Sequence, residues 1–161
     1  MPKTIDGPVL SRRELGAWRG LLATHRQVIA ALDAELEREH GLALSSYEVL
    51  LQLHEEPEHS LRMGRLADLL LLSRSGLTRL VDRLAARGLV ERHSCPSDRR
   101  GTYARLTAEG RQRFEEARPT HLRGVREHFI SHVAATDQDR LAAIWGQILD
   151  PDTEGPREVR R

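Results

Sequence analysis

Between Ser73 and Arg83 two residue classes interleave at helical spacing. Leu77, Leu80, Val81 and Leu84 fall on one side of such a helix, and Arg74, Ser75, Thr78, Arg79 and Arg83 on the other. Guanidinium groups and small hydroxyls on an exposed helix face are the donors that read duplex DNA. Arginine binds guanine bidentately in the major groove, and serine or threonine takes base edges or phosphates. Further on, Asp98, Arg99 and Arg100 lie in a turn-rich segment, where two arginines can reach a neighbouring minor groove. That groove is narrow and strongly negative in A·T-rich DNA. Asp98 suits pairing with Arg100, or holding the turn through its own backbone, better than it suits facing phosphate.

Charge segregates in the same sense. The net charge is only +1, yet residues 62–105 hold ten arginines against Asp68, Asp82, Glu91 and Asp98, a local excess of +6 that leaves −5 elsewhere. A basic middle between acidic flanks is expected when one lobe faces phosphate and another does not.

A second constellation is metallic. His121, His128 and His132 are separated by seven and four residues, which puts them near one face of a helix, and i, i+4 histidines match metal-ligand spacing. With eight histidines in the chain such coincidences come easily, and the sequence fixes no cysteine or acidic partner beside them. A metallopeptidase is excluded: His128 to His132 lacks the glutamate that chemistry needs, and His54 to His59 has the wrong spacing with Pro57 inside it. No glycine loop for phosphates and no nucleophile elbow occurs, so the chain does not read as an enzyme. No required cofactor is implied. Cys95 is alone, which precludes an internal disulfide and fits a reducing cytoplasm; an exposed bystander thiol is the better reading than a redox sensor.

The elements that must position these groups are mainly helical. Apolar residues are chiefly Leu, Ala and Val, aromatics make up 4%, and no run is long enough to cross a bilayer. The N-terminus has no signal-peptide character, so the expectation is a cytoplasmic protein without a membrane partner. A long amphipathic helix is expected from near Ser11 to Gly41, carrying Leu15, Trp18, Leu22, Ile29, Leu32 and Leu36. Ser45 or Ser46 suits the N-cap of a second helix that Pro57 closes, with residues 55–60 as polar connector. A third short helix carries Met63, Leu66 and Ala67. Ser73 caps the fourth, which stops at Gly88. Residues 89–93 and 102–106 read as a β-hairpin joined by 94–101. Thr107 caps a fifth helix that runs to Val133 and is bent locally at Pro119. A last helix holds Leu141, Ile144, Trp145, Ile148 and Leu149, and 150–161 is a frayed tail.

The order of these motifs resembles the MarR family of bacterial regulators over about residues 15–149. The likeness is carried by Leu66-Ala67-Asp68, by Leu72 through Leu84, by Arg87-Gly88-Leu89-Val90, by Asp98-Arg99-Arg100 and by Leu106-Thr107-Ala108-Glu109-Gly110. It implies a mainly α winged helix-turn-helix fold in a single domain over 1–161. Residues 11–40 and 107–149 are its dimerisation helices, and 45–106 is the DNA-binding lobe with a small β-hairpin wing. The family's recognition positions fall on Ser73, Arg74, Ser75, Thr78 and Arg79, and its wing arginine on Arg99 or Arg100. Leu71 departs from many helix-turn-helix turns, which carry glycine there. The resemblance also implies double-stranded DNA as partner and a homodimer whose interface we expect at Leu15, Trp18, Leu22, Ile29, Ile144, Trp145 and Ile148. It further implies a small-molecule effector between the two lobes; Trp18, His25 and Tyr47 are candidates to line such a crevice, but core packing is the expected fate of each. A repressor on a palindromic operator follows as the expected function. The alternatives are a zinc-responsive member of the family and an architectural module with weak sequence preference.

Overall fold

Six helices and three strands follow one another in the computed structural model, which describes residues 9–95 and 98–149, with the backbone alone at 95 and 98–100. The expected tail 150–161 lies outside the described residues. Helix α1 spans Arg12–His40, and a reciprocal capping box starts it: Ser11 accepts from the Glu14 amide while the Glu14 carboxylate accepts from the Ser11 amide. Gly41, in the left-handed region at φ 56°, ends it and returns its N–H to the Glu37 carbonyl.

Helix α2 (Leu44–Glu55) begins two or three residues earlier than a serine cap would place it, and neither Ser45 nor Ser46 caps it. Ala43 occupies the cap position, and the orphan Leu44 amide is satisfied at 2.8 Å by the Asp33 carboxylate of α1. The cap therefore comes from another helix, and Ser46 is buried.

A strand that composition hid begins at the connector's last residue. Residues Ser60–Arg62 form β1, which pairs antiparallel with β3 (Asp98–Leu106), and β3 pairs with β2 (Val90–Cys95), in the order β1-β3-β2. The hairpin reaches further than its apolar pattern indicated. Pairing continues to Ser94–Thr102, and after a register irregularity to Cys95–Asp98, consuming most of the expected turn.

Helix α3 (Met63–Leu69) and α4 (Arg74–Ala86) are joined by a turn in which Leu71 takes φ 53° and is 93% exposed. The Leu72 amide reaches back to the Ala67 carbonyl at 2.9 Å, which closes the end of α3. Ser73 caps α4, and Gly88 follows its end at φ 73°.

Helix α5 (Ala108–His128), capped by Thr107, runs through Pro119 but stops before Val133. At Phe129 the backbone leaves helical geometry so that its ring lines a cleft against α1, and a 3₁₀ turn (Ile130–His132) leads into α6 (Ala135–Leu149). The Ser131 hydroxyl donates to the Glu127 carbonyl, serving one of the carbonyls that the ended helix leaves over.

The core lies in the middle of the chain. Leu32 and Leu36 of α1, Leu50 and Leu53 of α2, Leu66, Leu77, Leu80, Val81 and Leu84 of α3 and α4, Leu61, Val90 and Leu106 of the sheet and Phe114 of α5 pack together. Each such side chain contributes roughly 1.5–3 kcal/mol by leaving water. Helix α6 and the first half of α1 bury nothing of their own. Trp18, Leu22, Ile29, Ile144 and Ile148 are exposed, Leu15 and Trp145 half-buried, and most of them line an open apolar cleft of about 790 Å³ between the two helices.

Candidate nucleic-acid interface

Helix α4 turns Leu77, Leu80, Val81 and Leu84 into the core, and this anchorage decides what its other face shows. Ser73, Arg74, Ser75, Thr78, Arg79 and Arg83 are all exposed, as their spacing required. The Ser73 hydroxyl accepts from the Gly76 amide at 3.1 Å and lies 3.3 Å from the Ser75 hydroxyl. A Cβ on Gly76 would sit 3.0 Å from that hydroxyl, so the glycine has a local reason in the cap besides any close approach to a ligand.

A residue outside the expected set links the helix to the wing. Arg92 of β2 donates one nitrogen to the Thr78 carbonyl at 3.1 Å and to the Asp82 carboxylate at 2.8 Å. This explains an acid in the middle of a basic helix: Asp82 fixes an arginine that carries the wing. Arg105 and Glu91 pair more loosely at 3.8 Å, directly across the hairpin. Two of the acids in the basic segment are thus paired within the lobe, and the arginines on the outer face of α4 keep their excess charge. No sequence period signals Arg92, because its partners lie on a different element.

Arg62, Arg74, Thr78, Arg92 and Thr102 converge on a polar cleft of about 330 Å³ where β1, α4 and the hairpin meet. Three guanidinium groups around one cleft suit a phosphate oxygen. Arg62 and Arg92 were absent from the expected set. They become candidates because β1 and the hairpin bring them to the N-terminal end of α4. The side chains of Asp98, Arg99 and Arg100 lie outside the described residues; their backbone forms the start of β3. The Cys95 side chain lies outside them as well.

The other expected site residues separate. Tyr47 packs in the core, as expected, and lines no crevice: it is 1% exposed, with its ring 5.3 Å from Phe114 and 4.5 Å from His121, and burial pushes its phenol up to about 12. His25 does border open space, in a second cleft of about 800 Å³ that also includes Arg26, Asp33, Glu48 and Leu69–Leu71. Burial raises the Glu48 carboxyl above its ordinary value, and His25 opposes this. Trp18 lines the α1–α6 cleft instead.

The three histidines do not form one ligand set. His121 is stacked on Tyr47 with a buried Nδ1 lacking a hydrogen-bond partner, and burial lowers its pKa. His132 falls in the 3₁₀ turn beyond the end of α5, so the helical i, i+4 relation to His128 is lost. His128 alone is near acids, with Nε2 2.6 Å from Glu35 of α1.

A recognition helix seated on a leucine stripe, followed by a hairpin and preceded by a short helix and turn, defines a winged helix-turn-helix protein. The MarR family model matches residues 40–101, the segment that holds this arrangement. The crystal structure of AbsC, a MarR family transcriptional regulator from Streptomyces coelicolor, is 33% identical with a TM-score of 0.84, covering 90% of this chain and 97% of that one. Sco3205, a MarR family regulator of the same organism crystallised in complex with DNA, is 30% identical with a TM-score of 0.85, covering 94% and 95%. The transcriptional repressor MprA of Escherichia coli is 28% identical over 109 residues, 68% of this chain and 61% of that repressor. The chain therefore spans somewhat less than two thirds of this relative. It belongs to the MarR family, and the members named here are transcriptional regulators.

Proposed function

We propose that this protein is a cytoplasmic, sequence-specific DNA-binding regulator that acts as a homodimer and represses transcription from a palindromic operator. One observation carries the reading. The outer face of α4 offers Arg74, Ser75, Thr78 and Arg79 to solvent, while its leucines fix the helix to the core and Arg92 fixes the wing to it. A face so anchored meets a major groove without reorganising, and the polar cleft beside it holds a flanking phosphate.

The dimer reading rests on apolar surface without a partner. Trp18 is 53% and Ile148 62% exposed in the single chain, beside a cleft whose lining is almost wholly apolar. Covering it with the same helices of a second copy removes that surface from water and sets two recognition helices about one turn of DNA apart. The crevice at His25, Arg26 and Glu48 suits a small-molecule effector that binds the DNA-fitting and non-fitting spacings with different affinity.

Selection of bound sequences from random duplexes, with sedimentation of the free protein, tests the reading. One sharp palindrome and a dimer at micromolar protein are expected. A flat profile would support an architectural module, and a monomer would remove the two-half-site argument.

A further inference from the structure

Helices α1 and α5 lie side by side, and their contact repeats at one-turn intervals: Glu39 meets Thr120 and Arg123, then Glu35 meets Gly124 and His128. The second of these meetings is chemically unfinished. The Glu35 Oε1 atom lies 2.6 Å from His128 Nε2, but its Oε2 atom is buried and has no hydrogen-bond partner. An unsatisfied buried acceptor is costly, and a carboxylate oxygen more so. Gly124 makes room for this oxygen: a Cβ there would come within 2.6 Å of it. Glu127, on the next turn, brings a second carboxylate, and one ligand atom from each of Glu35, Glu127 and His128 lies within 4.8 Å of the others. Arg123 does not serve Glu35, since its Nη2 is held by both oxygens of Glu39 at 2.8 and 2.9 Å.

We propose that Glu35, Glu127 and His128 form a binding site for one divalent transition-metal ion such as zinc. An ordinary ion pair between Glu35 and His128 uses only Oε1, and explains neither the orphaned Oε2 nor the second carboxylate. A metal ion accounts for the second carboxylate, and chelation by both Glu35 oxygens serves Oε2 as well. Ligand atoms around a tetrahedral zinc ion stand about 3.3 Å apart, given Zn–N and Zn–O bonds near 2.0–2.2 Å. The 2.6 Å pair opens and the exposed Glu127 closes to reach that spacing, both by side-chain rotation. Two carboxylates neutralise the ion, the imidazole supplies one nitrogen, and water completes the shell. In the metal-free protein His128 and Glu35 share a hydrogen bond, and the ion takes its place. Because the ligands come from two helices, the ion ties α1 to α5 and binds the folded chain only.

The test uses the full chain, stripped with EDTA and titrated with zinc chloride by calorimetry, together with X-ray absorption of the one-to-one zinc protein. Expected are one zinc per chain, a rise in melting temperature, and a shell of one imidazole with oxygen donors and no sulfur. Glu35→Gln and His128→Gln each weaken binding at least tenfold, whereas His132→Gln leaves it unchanged. Melting in EDTA verifies that each variant folds, and if one does not, the wild-type absorption spectrum decides. The site is overturned if no stoichiometric binding occurs at micromolar zinc, if two or more imidazoles coordinate, or if both ligand variants bind like wild type. DNA affinity measured without zinc tests the role of α4 separately from this site.

Discussion

Replacing Leu71 by glycine should make the protein more stable, although it deletes a large apolar side chain. Leu71 sits between α3 and α4 at φ 53°, where an L-residue brings Cβ against its own carbonyl, and it is 93% exposed. The left-handed conformation costs a non-glycine residue about 1–2 kcal/mol. Glycine removes that cost and adds about 0.5–1 kcal/mol of unfolded-chain entropy. So little of the leucine is buried that its packing contributes almost nothing. The balance is a gain near 0.5–1 kcal/mol, which for a chain of this size raises the melting temperature by about 1–4 °C. Leu71→Ala is the informative control. It trims the exposed side chain but keeps Cβ, so it should leave stability within about 0.5 kcal/mol of wild type. Both variants should be melted at one protein concentration, because the proposed dimer would make the midpoint concentration-dependent. Equal midpoints for the glycine and alanine variants would refute the strain argument, and a loss in the glycine variant would show that Leu71 packs against something in solution. His59 has the same φ of 53°, yet its ring hydrogen-bonds the His54 carbonyl and lies 5.7 Å from the His54 ring, so glycine there should bring no gain.

Three further outcomes are expected. Arg92→Ala should cost less than about 1 kcal/mol of stability, since its pair with Asp82 is half-exposed, while weakening DNA binding more, because the wing loses its tie to Thr78; denaturant melts and fluorescence anisotropy separate the two. Glu39 is held at about 2, well below its ordinary 4.5, first by hydrogen bonds from Arg123, then by those from Arg38 and Thr120. Its folded-state pKa is depressed, so its stabilisation is complete above about 4.5 and is lost as pH falls towards about 2. Glu39→Gln should flatten the acid limb of a stability–pH curve in that window and leave its slope near neutrality unchanged. Gly110→Ala should destabilise by about 1–3 kcal/mol, as the new Cβ meets the Leu89 carbonyl, a backbone atom that cannot swing aside; a urea midpoint equal to wild type would contradict that packing.

Where a local signal existed, the sequence was readable. Ser11, Ser73 and Thr107 each marked a helix start through a hydroxyl three residues before the amide it serves, and Gly41 and Gly88 marked ends through the left-handed backbone they adopt. The outer face of α4 followed from its apolar stripe alone, because burying three leucines and Val81 at helical spacing leaves only one direction for the arginines. What could not be read came from partners far along the chain. Strand β1 is three residues long and exists because β3 offers it an edge. The first amide of α2 is capped by Asp33, eleven residues away and on another helix. Arg92 looked like one basic residue among ten until the hairpin laid it against α4. Among the histidines, regular spacing was misleading, because Phe129 turns out of helical geometry before His132 is reached.

Affinity for the selected duplex and for a scrambled one, measured at a single fixed salt concentration for wild type, Arg74→Ala and Arg79→Ala, bears most directly on the role of α4. Each substitution should cost about 1–3 kcal/mol on the selected duplex, roughly 5- to 150-fold, and far less on the scrambled one. Wild-type affinity in both variants on both duplexes would mean that this helix face does not read DNA.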